Sequence, residues 1–290
     1  MAEQINFLDI NFSRMPFSEA VQLLLSFMQT RNGKRVYFVN ANSVVIAAKA
    51  PEFQAALGQA DLVLADGSGV LWSSALMKRP LTHNLNGTDL IPALCREAGS
   101  GGLSVYLLGG KPGIAEEVAE KLTQGCPGLI IAGTQHGYFQ ADETQEVLNR
   151  IKEARPHLLL VAFGSPLQEI WIDQYAAQLD GILCAGVGGL FDFMAERVRR
   201  APSPIRKAGM EWAWRLAMEP RRLWRRYLLG NAIFFGLVAD AYINRGKKLP
   251  ANVQLMADYR NTADMSQLVS EPLQTVEQVE YVAYEQEKAV

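Results

Sequence analysis

The chain has 290 residues, 49% of them hydrophobic and 20% charged, with 28 basic and 30 acidic residues for a net charge of −2. That length suits one large domain or two modest ones, and the composition excludes a disordered chain, a collagen-like chain and a disulfide-stapled miniprotein. The charge balance excludes a generally basic nucleic-acid binder and leaves room only for a local basic patch.

The start, MAEQINFLDINFSR, carries acids early and lacks a long apolar segment, which predicts no signal peptide. From Arg35 on, strand and helix signals alternate. RVYFVN (35–40) is a β-branched and aromatic run, and a helix is expected over 43–57. A short strand follows at 62–65, then helices at 69–77 and 88–98, with Thr88 as the expected N-cap. Strands at 103–108, 129–132, 158–163 and 182–185 are separated by helices at 114–124, 143–154 and 167–178. Buried runs of four to six residues between longer helices predict an α/β fold, a Rossmann-like parallel sheet with helices on both faces. Ligands are then expected at the C-terminal ends of the strands.

After about residue 196 the pattern becomes helical only, with a hinge at Ala201-Pro-Ser-Pro204 and a break at Pro220. Between Arg197 and Arg226 ten basic residues face only Glu211 and Glu219, while residues 251–290 hold seven acids against Arg260 and Lys288. The expected organisation is a Rossmann-like α/β domain over 1–195, a C-terminal helical basic appendage over 196–248 and an acidic, loosely ordered tail over 249–290. The longest apolar run, 228–238, is too short to span a bilayer. The three cysteines, Cys95, Cys126 and Cys184, form no C-x-x-C pair, which fits a reduced cytoplasmic setting.

Several polar or glycine-rich elements stand just after strands. Asn40-Ala-Asn42-Ser43 supplies either ligand-binding amides or a helix cap from Asn42 or Ser43. Asp66, in Ala65-Asp66-Gly67-Ser68-Gly69, is either a general base at a strand end or an Asp in a tight turn. Leu108-Gly109-Gly110-Lys-Pro-Gly113 opens a helix and suits an anion, although it matches neither G-x-G-x-x-G nor the P-loop. In Gly164-Ser-Pro-Leu-Gln168-Glu169, Gln168 is expected to reach into the cleft and Glu169 to complement the helix dipole. Gly186-Val-Gly188-Gly189, followed by Asp192, allows close backbone approach or tight packing. His83, His136 and His157 are scattered and no Asp-x-Asp ends a strand, so no metal site and no cofactor are expected. Arg221, Arg222, Arg225 and Arg226 interleave with Trp212, Trp214, Trp224 and Tyr227, the composition of a helix on anionic lipid or of ordinary core packing with surface charge.

Taken in order, Asn40-Ala-Asn42, ADGSGV (65–70), NGTDL (86–90), LLGGKPG (107–113), HGYF (136–139), FGSPLQE (163–169), GVGGLFDF (186–193), RAPSP (200–204), EWAWR (211–215) and EPRRLWRRY (219–227) resemble the WecG/TagA/CpsF glycosyltransferase family from about residue 5 to 245. The resemblance implies an inverting enzyme that moves a sugar from a UDP-sugar to a polyprenyl-diphosphate-linked saccharide. It implies a peripheral position on the cytoplasmic face of the membrane and a role in exopolysaccharide or teichoic-acid-type synthesis. By the same resemblance Asp66 is the base, without a metal. The substrate-binding positions are Asn40, Asn42, Asn84, Gly109, Gly110, Gln168, Arg215, Arg222 and Arg225. Arg221, Trp224, Arg226 and Tyr227 are the expected membrane-associating residues. Asn84 stands where family members often carry Arg, which favours a donor without a carboxylate, such as UDP-glucose or a UDP-N-acetylhexosamine. A homo-oligomer is compatible with this reading. The rival is a non-catalytic nucleotide- or polyanion-binding protein on the membrane surface.

Overall fold

The computed structural model describes residues 3–244, except for the side chain of Arg222. The expected acidic tail over 249–290 lies outside the described residues.

The chain opens with strands Glu3–Phe7 (β1) and Ile10–Arg14 (β2), paired antiparallel, and helix Phe17–Thr30 (α1). Leu8 and Asp9 join the strands with φ of 50° and 58°. Positive φ at both central residues is the twist a two-residue hairpin needs, here without the Asn-Gly pair that usually announces it. Next come Arg35–Val39 (β3), Ala41–Ala47 (α2), Pro51–Gly58 (α3), Leu62–Ala65 (β4), Ser68–Leu76 (α4) and Gly87–Ser100 (α5). Ser104–Gly109 (β5), Ile114–Gly125 (α6), Ile130–Gln135 (β6), Thr144–Ala154 (α7), Leu158–Ala162 (β7), Leu167–Gln174 (α8), Leu183–Gly186 (β8) and Leu190–Met194 (α9) complete the body. The six strands β3–β8 form one sheet in the order β4-β3-β8-β7-β5-β6, with every neighbouring pair parallel.

Side chains alternate across this sheet and feed two apolar layers. Val36, Leu64, Val105 and Leu160 face one layer with α1, α5, α6 and α9. Tyr37, Val63, Leu108 and Leu159 face the other with α2, α3, α7 and α8. A sheet buried on both faces is the α/β architecture expected from the runs.

The strand expected over 129–132 runs on to Gln135, and three further differences from the sequence reading have a local cause. The helix expected over 43–57 is two, because Pro51 lacks an N–H and holds Ala50 extended at φ −114°, ψ 97°. The cap of α5 is Asn86, whose side chain accepts from Asp89 N at 2.9 Å, not Thr88. The helix expected over 167–178 ends at Gln174, followed by a separate 3-10 turn Ala176–Gln178.

Beyond the body lie Ser203–Lys207 (α10), Glu211–Met218 (α11), Pro220–Trp224 (α12), a π-helical turn Arg225–Leu229 and Gly230–Ile243 (α13). Pro220 sits in the first turn of α12, where its missing N–H costs nothing. The last three segments keep helical angles through both junctions and form one rod. Its far half is seated on the body, because Phe234, Leu237 and Val238 are buried in the second apolar layer. Phe235 and Tyr242, on the same helix, are exposed.

Candidate active site

Asp66 follows β4 directly, and its backbone N–H donates to Val39 O at 3.0 Å, continuing the ladder with β3. Gly67 comes next at φ +94°, a conformation that suits glycine. Its N–H donates to Asn84 Oδ1 at 2.8 Å, so Asn84 holds the turn behind the carboxylate. Asn40 caps α2, its Oδ1 accepting from Ser43 N at 3.1 Å. The capping residue is therefore Asn40 rather than Asn42 or Ser43. The amide of Asn40 also hydrogen-bonds the Asp66 carboxylate and thereby orients it. Asn42 faces the rod: a Cβ on Gly230 would stand 3.6 Å from its Oδ1.

The appendage closes over this corner. Ser68 Oγ donates to Gly209 O at 2.6 Å. Arg200 binds Asp89 at 2.7 Å and Glu211 at 3.4 Å, and Arg206 lies 3.8 Å from Asp89. Asn86 Nδ2 donates to Asp89 Oδ2 at 2.9 Å. Burial pushes the Asp89 carboxyl up, but the hydrogen bonds from Arg200 and Asn86 outweigh it and hold the group below its ordinary range. The NGTDL and RAPSP blocks thus carry a latch to which the sequence reading assigned no role. Opposite charges in those two blocks were the available signal.

Asp66 has the electrostatics of a poised base. Burial raises its pKa; the Arg226 guanidinium opposes this most strongly, Glu211 reinforces it, and Asn40 and Arg215 also oppose it. The net result is a carboxyl above its ordinary range, which makes the carboxylate a better proton acceptor near neutral pH. Arg215 lies over the Phe193 ring at 4.9 Å, with its Nε buried and without a hydrogen-bond partner.

Two arginines exchange their expected places. Arg226, expected on the lipid side, is half-buried and faces Asp66. Arg225, expected with the substrate, is exposed, its guanidinium 5.4 Å from the Trp224 ring centre. The reason is helical phase: Arg226, Gly230 and Phe234 recur every four residues on the face that meets the body. Tyr227 is half-buried, with its ring 6.2 Å from Trp212, whereas Arg221 and Trp224 are exposed. The side chain of Arg222 lies outside the described residues.

The chain leaves β5 toward β6 and leaves β7 toward β8, in opposite directions, so the topological switch point, where a ligand crevice is expected, lies between β5 and β7. Gly109 and Gly110, at φ +134° and +71°, lie at this point. A Cβ on Gly109 would stand 2.6 Å from Ala162 O, and one on Gly110 would stand 2.9 Å from Ile114 Cγ2. These glycines therefore let the β5 and β7 ends pack closely and deliver the loop to the first N–H groups of α6. Four strand spacings of about 4.8 Å separate β5 from β4, so these glycines stand roughly 19 Å along the sheet from Asp66.

Gln168 does not reach into that cleft. It is buried, its Oε1 accepts from Gly164 N at 3.1 Å and Gly188 N at 2.8 Å, and its Nε2 donates to Glu169 Oε1 at 2.8 Å. It ties the loops after β7 and β8 together. Glu169 is likewise not a surface charge beside a helix dipole but a buried acid, also hydrogen-bonded by Ser165 Oγ at 2.8 Å, with Oε2 unpartnered. Burial pushes its pKa up from 4.5 to about 6 against the hydrogen bonds from Gln168 and Ser165. A raised acid stabilises the fold fully below its unfolded pKa, and that contribution is lost as pH rises through about 6. Glu169→Gln keeps the acceptor for Ser165 and Gln168 and removes the loss. Urea unfolding should show similar stability for the variant and the parent near pH 4.5, and a gain of up to about 2 kcal/mol for the variant near pH 8. An identical pH dependence in both proteins would contradict this assignment.

Among the described residues no group of three His, Cys, Asp or Glu side chains is placed to hold a metal ion, and no helix is long and apolar enough to cross a membrane.

Comparison with known proteins agrees with the resemblance in the sequence. A protein of Bacillus spizizenii named N-acetylglucosaminyldiphosphoundecaprenol N-acetyl-beta-D-mannosaminyltransferase is 31% identical over 225 residues, covering 78% of this chain and 85% of that relative. A Staphylococcus aureus (strain MW2) protein of the same name is 29% identical over 240 residues, covering 82% of this chain and 93% of the relative. Residues 5–248 match the glycosyl transferase WecG/TagA/CpsF family across both the α/β body and the helical appendage, and the chain belongs to that family of glycosyltransferases.

Proposed function

We propose that the protein transfers a sugar from a UDP-sugar to N-acetylglucosamine carried on a polyprenyl diphosphate, by direct displacement with Asp66 as the base. One observation carries this reading: an oriented carboxylate at a strand end stands opposite two arginines supplied by the appendage. The acceptor name is taken from the relatives.

Asp66 takes the proton of the acceptor hydroxyl while that oxygen forms its bond to the anomeric carbon. The bond from that carbon to the diphosphate oxygen breaks, and its electron pair leaves with UDP. The charge that develops on the leaving oxygen is met by Arg215 and Arg226, in place of a metal. The donor also acts on the base. Its diphosphate neutralises the two guanidinium groups that hold the Asp66 pKa down, so donor binding strengthens the carboxylate as a proton acceptor. Asn42 and the Asn84-supported turn form the floor of the acceptor end. In this reading the protein works peripherally on the cytoplasmic face of the membrane, in the synthesis of a surface polysaccharide or teichoic-acid-type polymer.

Radiolabelled UDP-N-acetylmannosamine, UDP-N-acetylglucosamine and UDP-glucose, each incubated with a short-chain polyprenyl-diphospho-N-acetylglucosamine, test the reading. Label should enter the lipid product from one of these donors at a rate that exhaustive EDTA leaves unchanged. Donor binding without transfer would support the non-catalytic rival. Activity lost to EDTA and restored by Mg²⁺ would remove the arginine account of the leaving group.

A further inference from the structure

Among the described residues eleven large apolar side chains are exposed, and eight of them belong to residues 210–243. Of the three in the body, two stand together: Trp72 is 54% exposed and Leu76 is 60% exposed. They are four residues apart on α4 and share its outer face. The opposite face of α4 is buried through Val70, Ser73 and Ser74. The helix, SGVLWSSAL, contains no charged residue and carries apolar residues on its inner and outer faces alike. A helix of that kind has a second apolar neighbour besides the core it packs on.

This face is continuous with the appendage. A Cβ on Gly209 would stand 3.0 Å from Trp72 Cζ2, and Met210 beside it is exposed. Exposed basic residues fringe the patch: Lys78 follows α4, and Lys207 stands two residues before Gly209 on the appendage, while Arg79 donates to Asn6 O at 2.9 Å. An exposed Trp with a neighbouring Leu inside a basic fringe is the composition of an interfacial anchor on anionic lipid. Two copies meeting through this face would bring like-charged fringes together, which opposes self-association.

We propose that α4 is a lipid-contacting element of the catalytic body itself, with Trp72 and Leu76 entering the headgroup–acyl boundary and Lys78 and Lys207 meeting lipid phosphates. The proposal rests on the reading that the acceptor is membrane-linked. It gives the contact a purpose. Helix α4 starts two residues after Asp66, and at 1.5 Å per residue Trp72 lies only about 6 Å along it from Ser68. Seating α4 in the interface therefore brings the base to the depth at which a lipid diphosphate lies. The appendage holds the protein on the bilayer, and α4 sets the height of Asp66 above it.

The test uses the full chain and vesicles of phosphatidylglycerol and phosphatidylcholine. Trp72→Ser with Leu76→Ser should weaken vesicle affinity at least about tenfold, as expected when two large apolar side chains are no longer buried. Turnover of a water-soluble acceptor analogue should stay at the parent rate, and turnover of a vesicle-embedded acceptor should fall with the affinity. Leu76→Ser alone should show part of the loss, and it leaves the Trp72–Gly209 contact intact. Soluble turnover reports on the transferase reading and vesicle affinity reports on α4, so the two fail separately. Unchanged vesicle affinity in the double variant, or a parent protein that does not bind these vesicles, would overturn the proposal. So would a light-scattering mass that falls on substitution, which would assign the face to a second copy of the chain.

Discussion

Asp66→Asn is expected to lower turnover by about 10²–10⁴-fold, the loss typical of a missing general base. Folding should be unaffected. The backbone N–H of residue 66 still donates to Val39 O, and an amide oxygen still accepts from Asn40. Burial holds the Asp66 carboxyl above its ordinary range, so a neutral amide of the same shape places no new penalty on the fold. Initial rates on a soluble acceptor analogue, beside thermal unfolding and UDP-sugar binding, check all three points. Near-parent turnover in a folded Asp66→Asn protein would remove Asp66 from catalysis.

The second large effect concerns the appendage, where Arg226 rather than Arg225 lies near Asp66. Arg226→Ala should lower turnover by about 10²–10³-fold, the scale seen when one donor to a developing negative charge is removed. Arg226→Lys should recover part of it, since a point charge replaces the fork but not its bidentate geometry. Arg225→Ala should leave turnover on a soluble acceptor close to the parent rate and weaken vesicle binding, because Arg225 is exposed and stacked on Trp224. Arg226→Ala should also move the acid limb of the rate profile to higher pH, since the Arg226 charge lowers the Asp66 pKa. Rates over pH on the soluble acceptor separate the two variants. Equal losses from both would contradict the orientation of the rod.

The parallel sheet was legible because its strands are apolar on both faces, and runs such as LVLA and LLLVA have no other reading between long helices. The position of Asp66 was legible for the same reason, since a polar residue closing such a run must stand at a strand end. The β1–β2 hairpin was not, because Leu8-Asp9 lacks the usual turn residues and its φ values are set by Phe7, Ile10 and Phe12 burying into the body. Gln168 and Glu169 defeated local reasoning. Nothing in GSPLQE reveals that Gly164 and Gly188, from different loops, both donate to Gln168. The facing of Arg225 and Arg226 was equally hidden, because it depends on which residues of the rod meet the body at Asn42. Helical phase follows from Gly230 and Phe234 once the docking is known, but neither residue announces that docking by itself.

The proposed reaction is a single displacement at the anomeric carbon, with Asp66 as base across from the appendage arginines. The anomeric configuration of the purified product, read by proton NMR after transfer from an α-linked UDP-sugar, tests it most directly. One displacement with a base in place of a nucleophile predicts a β-linked product. An α-linked product would require two displacements or a front-face route, and it would contradict the role given to Asp66.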